Sequence, residues 1–278
     1  MRLATDGAEL CVDTTGEHGD PAVLLVAGSR ASMDYWEKPF CARLADAGRY
    51  VIRYDLRDTG ASTTYPPGRP GYTSDDLVSD AVAILDGLDV GRAHVAGISM
   101  GGALTQRIVV EHPARVRGIT LMSTSPAGPG GPDLPPPSEE LRALFARGDA
   151  AEPDWSDRDA TVAFLLEGER PYAGRRGLEE ERLRELLGRV YDRSTSLASG
   201  GNHYLLEGTE MPRARLGEIA VPALIIHGTD DPLFPPAHGE ALAREIPGAR
   251  LLLVEGLGHE LPRWAWDEVL PALVDATI

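Results

Sequence analysis

The sequence predicts an α/β domain: a mostly parallel central sheet flanked by helices, with a helical cap inserted past the middle. Three observations lead there. The continuous apolar run 22–26 reads as a strand buried on both faces of a parallel sheet, and 50–54, 118–122 and 223–227 read as further strands. Helical periodicity separates most of them, with short loops between. And Gly97-Ile98-Ser99-Met100-Gly101 stands where a buried strand meets a helix, the context that gives a Gly-x-Ser-x-Gly motif its meaning.

The elements follow in order. Residues 9–14 alternate in polarity and suggest an edge strand. The run 22–26 ends at Ala27-Gly28-Ser29-Arg30, and a helix over 33–47 places Phe40, Leu44 and Ala47 on one face before Gly48 stops it. The strand 50–54 opens into a polar, turn-rich loop at 55–62 and a Pro/Gly-rich segment. Ser74-Asp75-Asp76 then cap a helix carrying Leu77, Ala81, Ile84, Leu85 and Leu88. The strand into Ser99, a helix at 103–111 and the strand 118–122 complete this half.

Composition shifts at Ser125. A Pro/Gly linker at 126–137 leads to three helices, 138–147, 158–168 and 178–191, with no strand among them. Residues 126–210 therefore read as a helical cap, and 1–125 with 211–278 as the core domain. The α/β rhythm resumes with a strand at 223–227, a helix at 237–245, a strand at 250–254 and a last helix at 264–275.

A chain of 278 residues suits one large domain with an insertion. Its net charge of −16 argues against nucleic acid and anionic membrane surfaces as partners. Lys38 is the single lysine among 27 basic residues, a bias of GC-rich bacterial genomes. Cys11 and Cys41 make neither a disulfide framework nor a metal site. The N-terminus has no apolar signal segment and no run reaches membrane-spanning length, so a cytoplasmic protein is expected, with no metal and no cofactor.

The chemistry turns on Ser99. A serine hydroxyl at neutral pH needs a base within reach, and that base needs a carboxylate to fix its tautomer. Ligands of open α/β sheets bind at the carboxyl ends of strands. There the chain offers Asp231, with Asp230 as a rival, in Gly228-Thr229-Asp230-Asp231-Pro232, and His259 in the loop after the next strand. Ser, Asp, His is the chain order expected of this arrangement. Two backbone amides should form an oxyanion hole: Met100, directly after the nucleophile, and Ser29, in a loop that Gly28 frees to turn inward. Gly28, Tyr35, Trp36 and His203 are the candidate pocket residues; Trp264 and Trp266 either reach the rim or anchor the last helix. His94 and His227 read as structural.

These residues resemble the α/β-hydrolase superfamily over almost the full chain. Within it, Arg43-Leu44-Ala45-Asp46, residues 51–64, Asp231-Pro232 with Pro235, and 256–262 are similar to aclacinomycin methylesterases, which tailor anthracyclines. The resemblance implies the α/β-hydrolase fold, a triad of Ser99, Asp231 and His259 in preference to Asp230, and an oxyanion hole at Ser29 and Met100. It also implies that Asp55 and Arg57 tie their loop by charge. Two departures stand out: Ala27-Gly28 occupies the place of a common His-Gly pair, and the cap shows no match that would carry over a substrate. The expected function is a serine hydrolase cleaving a carboxylic ester of a small or medium-sized substrate, polyketide-like compounds included, through an acyl-enzyme. Lactonase, carbon–carbon bond hydrolase, cofactor-free perhydrolase and a non-catalytic ligand-binding protein are the alternatives. Ser99 speaks against epoxide hydrolase or dehalogenase chemistry, which needs an aspartate nucleophile in this fold.

Overall fold

A computed structural model describes residues 1–128, 134–148 and 152–277. Its strands are β1 (Arg2–Thr5), β2 (Ala8–Thr15), β3 (Ala22–Val26), β4 (Tyr50–Tyr54), β5 (Ala93–Ile98), β6 (Val116–Met122), β7 (Ala223–Gly228) and β8 (Arg250–Val254). They form one sheet in the order β1-β2-β4-β3-β5-β6-β7-β8. The pairings from β4 to β8 are parallel, while β1–β2 and β2–β4 are antiparallel.

The segment 9–14 is not an edge. β1 pairs outside it, with Arg2 opposite Cys11 and Thr5 opposite Ala8. Four residues, Arg-Leu-Ala-Thr, carry too little pattern to read as a strand from sequence alone. The opposite edge, β8, leaves Leu251 and Leu253 exposed.

Alternation along the inner strands builds two core layers. Leu24, Val26, Ile52 and Val95 face a layer with α2 (Ser74–Gly87), α3 (Met100–Glu111) and α7 (Ala237–Glu245). Val23, Leu25, Val51 and Ala96 face the other, with α1 (Lys38–Asp46) and α8 (Trp266–Ala276). The helix expected over 33–47 is broken. Met33–Tyr35 form a 3₁₀ turn, and α1 starts only at Lys38, with Pro39 in its first turn, where a missing amide costs no helical bond. The Arg53 guanidinium takes up the carbonyls of Met33 and Trp36 left by the break, at 3.2 and 2.7 Å. The cap of α2 is Thr73, whose side chain and Asp76 exchange hydrogen bonds in a capping box, one residue before the expected start.

Between β6 and β7 lie α4 (Glu139–Arg147), α5 (Arg158–Glu169) and α6 (Glu180–Arg193), followed by 3₁₀ turns at Ala198–Leu205 and Arg213–Glu218. The linker expected at 126–137 lies partly outside the described residues, at 129–133. α5 and α6 share a small apolar cluster, Val162, Leu166, Leu183, Leu186, Leu187 and Val190. Met211, Leu216 and Ile219 already belong to the main core. No helix among the described residues is long and apolar enough to cross a membrane.

Arginines of α6 pin these helices to the sheet's loops. Arg193 pairs with Asp34 at 2.5 Å and with both oxygens of Asp55, which is fully buried. Arg182 pairs with the buried Glu37, which Arg263 also reaches at 2.6 Å. In the loop after β4, Arg57 grips Asp80 of α2 with two bonds of 2.8 Å, both side chains buried. Removing one member of a buried pair strands the other charge, at about 3–5 kcal/mol. Arg193→Met should therefore lower unfolding stability by about 3 kcal/mol in urea titrations. A loss under about 0.5 kcal/mol would show that Asp55 does not depend on it.

Candidate active site

Ser99 is the residue between β5 and α3, at φ 54° and ψ −120°. A side chain at positive φ is strained, and the neighbours enforce it. A Cβ on Gly97 would collide with the Gly101 carbonyl, and one on Gly101 with the carbonyls of Val26 and Ala27. Only two glycines let β3, β5 and α3 pack this closely. The Ser99 amide donates to the Met122 carbonyl (3.0 Å) and its carbonyl accepts from the Thr124 hydroxyl (2.8 Å). The turn is thus fastened to β6, and the serine Oγ stands clear of the sheet.

Asp231 follows β7. Its Oδ1 accepts the amides of Leu233 (2.9 Å) and Phe234 (2.8 Å), which sets the carboxylate plane and leaves Oδ2 for His259 Nδ1 at 2.9 Å. An ionised carboxylate only accepts, so Nδ1 carries the proton. Nε2 is then the acceptor, 3.0 Å from Ser99 Oγ. Burial penalises the Asp231 charge, but the hydrogen bonds from His259 and the Phe234 amide outweigh it and hold the carboxyl below its usual range. The structure thus brings Ser99, His259 and Asp231 into one hydrogen-bonded line. A serine so placed can lose its proton to imidazole as it attacks a carbonyl.

Asp230, the rival acid, points elsewhere: its carboxylate takes the Arg175 guanidinium at 2.6 Å through both oxygens. Adjacent aspartates diverge because the turn amides claim only the second.

Ser29 lies in the loop after β3, its hydroxyl 3.3 Å from Met100 Sδ, which brings that loop against the start of α3. The Met100 amide opens α3, where amides have no partner in their own helix. Gly28 packs on Ser99: a Cβ there would lie 3.4 Å from the serine Cβ.

The other pocket candidates separate. Tyr35 stays near the site, its hydroxyl donating to Glu169 Oε1 at 3.0 Å. Trp36 is fully buried in the core, tilted against Phe40 at 5.7 Å. The apolar face of the α1 layer claims it. His203 spends both ring nitrogens on backbone, accepting from the Arg30 amide (3.0 Å) and donating to the Arg57 carbonyl (2.8 Å). It ties two loops together. Trp266 anchors the last helix against Phe40, and Trp264 lies under the Arg176 guanidinium at 4.0 Å.

Four neighbours of His259 have no sequence signal of their own. The rings of Tyr172 and Phe234 stand 6.0 and 5.5 Å from the imidazole. Burial pushes the Glu169 carboxyl up, against the Tyr35 hydroxyl and the charges of His259 and Arg30. Glu260 is pushed up to about 7, first by burial and also by Glu169, with the Gly174 amide opposing. Among the described residues no cluster of His, Cys, Asp and Glu has the makings of a metal site.

The model of the family described as "alpha/beta hydrolase fold" matches residues 21–264. Among curated proteins, the chain is 32% identical to a rhodomycin D methylesterase of Streptomyces sp. (strain C5), over 94% of this chain and 92% of that one. It is 30% identical to a 2-hydroxy-6-oxononadienedioate/2-hydroxy-6-oxononatrienedioate hydrolase of Burkholderia vietnamiensis, over 96% and 90%. Among solved structures, the enol-lactonase of Burkholderia xenovorans superposes with a TM-score of 0.73 at 25% identity, covering 98% and 99% of the two chains.

Glu260 yields a pH test. Its carboxyl ionises less readily folded than unfolded, so it costs stability as pH rises from about 4.5 through about 7. Glu260→Gln should raise Tm at pH 8 and leave it near wild type at pH 4. Equal Tm differences at both pH values would contradict that environment.

Proposed function

Because the chain belongs to the α/β-hydrolase family, and its sheet order and site geometry suit that chemistry, we propose that it is a serine esterase in which Ser99, His259 and Asp231 form the catalytic triad. One observation carries the reading: the unbroken line from Asp231 Oδ2 through His259 to Ser99 Oγ, with steps of 2.9 and 3.0 Å.

In the proposed cycle His259 Nε2 takes the proton as Ser99 Oγ adds to the ester carbonyl. Asp231 steadies the imidazolium that forms. The new oxyanion settles between the amides of Ser29 and Met100, each such donor worth about 3 kcal/mol of transition-state stabilisation. The tetrahedral species collapses, His259 returns its proton to the departing alkoxide, and alcohol leaves. Water, deprotonated by the same imidazole, then frees the acid.

Residues 126–210 serve in this reading as a cap that sets substrate choice. The helix cluster of its own, and the arginines that fix it over the loops, support that role. The aromatic rings of Tyr172 and Phe234 stand beside His259. With the methylesterase likeness over nearly the whole chain, they favour the methyl ester of a medium-sized, polyketide-like acid as substrate. The free thiols Cys11 and Cys41 ask for no oxidising compartment, in keeping with work in the cytoplasm.

Ser99→Ala should cut kcat/KM on p-nitrophenyl acetate at least a thousandfold, with Tm within about 2 °C of wild type. Methanol release from aromatic methyl esters, read by gas chromatography, should vanish in the same variant. Turnover surviving the substitution would refute the mechanism.

A further inference from the structure

The short stretch Tyr172–Arg175, which follows α5, lies across both loops that carry the acid and the base. The Tyr172 carbonyl accepts the His259 amide at 2.8 Å. The Gly174 amide donates to Glu260 Oε1 at 3.4 Å. A Cβ on Gly174 would strike the Gly256 carbonyl, and one on Gly258 would strike the Tyr172 carbonyl, so the two backbones interlock through glycine on each side. At the end of the stretch Arg175 closes on Asp230: its amide donates to Oδ2 at 3.0 Å, Nε to Oδ2 at 2.6 Å and Nη2 to Oδ1 at 2.6 Å. Nη1 also reaches Glu255 at 3.1 Å, on the other loop. Asp230 itself donates its amide to the Leu257 carbonyl at 2.9 Å, so the two triad loops meet directly beneath the strap.

From this geometry we infer that Arg175 is a positioning residue: clamped on Asp230, it holds the strap 172–175 against the loops of Asp231 and His259 and so sets the distance from imidazole to Ser99. The inference rests on the triad reading and goes beyond it, by giving the neighbouring aspartate a part in alignment.

Magnitudes separate this role from plain stabilisation. Arg175 is largely exposed, and an exposed ion pair contributes at most about 1 kcal/mol to global stability. Misplacing a catalytic group by about 1 Å can cost about a hundredfold in rate. The clamp should therefore show in kcat and hardly in Tm. The fork of two parallel bonds also belongs to arginine; lysine offers a single point of charge. The Arg175 guanidinium keeps the Asp230 carboxyl well below its usual range, so the clamp stays charged at neutral pH.

Arg175→Ala and Arg175→Lys are the test, read in three ways. In Arg175→Ala, kcat on p-nitrophenyl acetate should fall about tenfold with KM within about twofold. Tm should stay within about 2 °C. The downfield proton resonance of the hydrogen-bonded His259 Nδ1–H should broaden or disappear. Arg175→Lys should recover part of kcat and of the resonance. An unchanged kcat, or a lowered kcat with the resonance intact, overturns the inference. The resonance needs no turnover, so a wild-type protein inert to esters would sink the esterase reading while this measurement still decides the clamp.

Discussion

The proposed chemistry depends on a carboxylate that has one oxygen already spent. Asp231 Oδ1 is taken by two turn amides, so Oδ2 faces His259 and the imidazole has one orientation open to it. That orientation directs Nε2 at Ser99, whose own position is set by the glycine-only contact of α3 with β3 and β5. Three loops at the carboxyl edge of the sheet contribute one residue each. The parallel order β3-β5-β6-β7-β8 is what places their ends side by side. Sheet topology here is a statement about chemistry: the line of hydrogen bonds exists because β7 lies beside β6, the strand that neighbours β5, and β8 lies beside β7.

The inserted helices join that edge by charge more than by apolar contact. Arg193 meets Asp34 and Asp55, Arg182 meets Glu37, and Arg175 meets Asp230. Two of the four carboxylates, Glu37 and Asp55, are fully buried, so their pairs resist opening, while the Arg175 pair is exposed and screened by salt. The insertion is therefore firmly seated along α6 and more lightly held where it crosses the triad loops.

Ser99, Asp231 and His259, the proposed triad, could be picked out because each follows an apolar run that ends a strand, where chain order and motif spacing carry the signal. The fold class was legible for the same reason, since short, mostly apolar segments alternating with helical periodicity leave little choice but a parallel sheet. Trp36 shows the limit. An aromatic residue near the serine loop looks like a pocket wall, yet one turn of 3₁₀ helix before Pro39 rotates it into the core. His203 shows another limit: its ring nitrogens are consumed by the backbone of Arg30 and Arg57, far away in sequence. Glu169, Tyr172 and Arg175 lay beyond reach because their meaning is entirely in the docking of the insertion, and no local spacing reports a contact with Asp230 or His259. β1 was too short and too polar to register.

The claim on which the account stands is that the Ser99 hydroxyl is the activated nucleophile. Treatment with a fluorophosphonate, followed by peptide mass spectrometry, addresses it without knowledge of the natural substrate. The account predicts a single adduct, on Ser99, forming in step with loss of esterase activity. An adduct on another residue, or full activity with Ser99 unmodified after prolonged exposure, would contradict it.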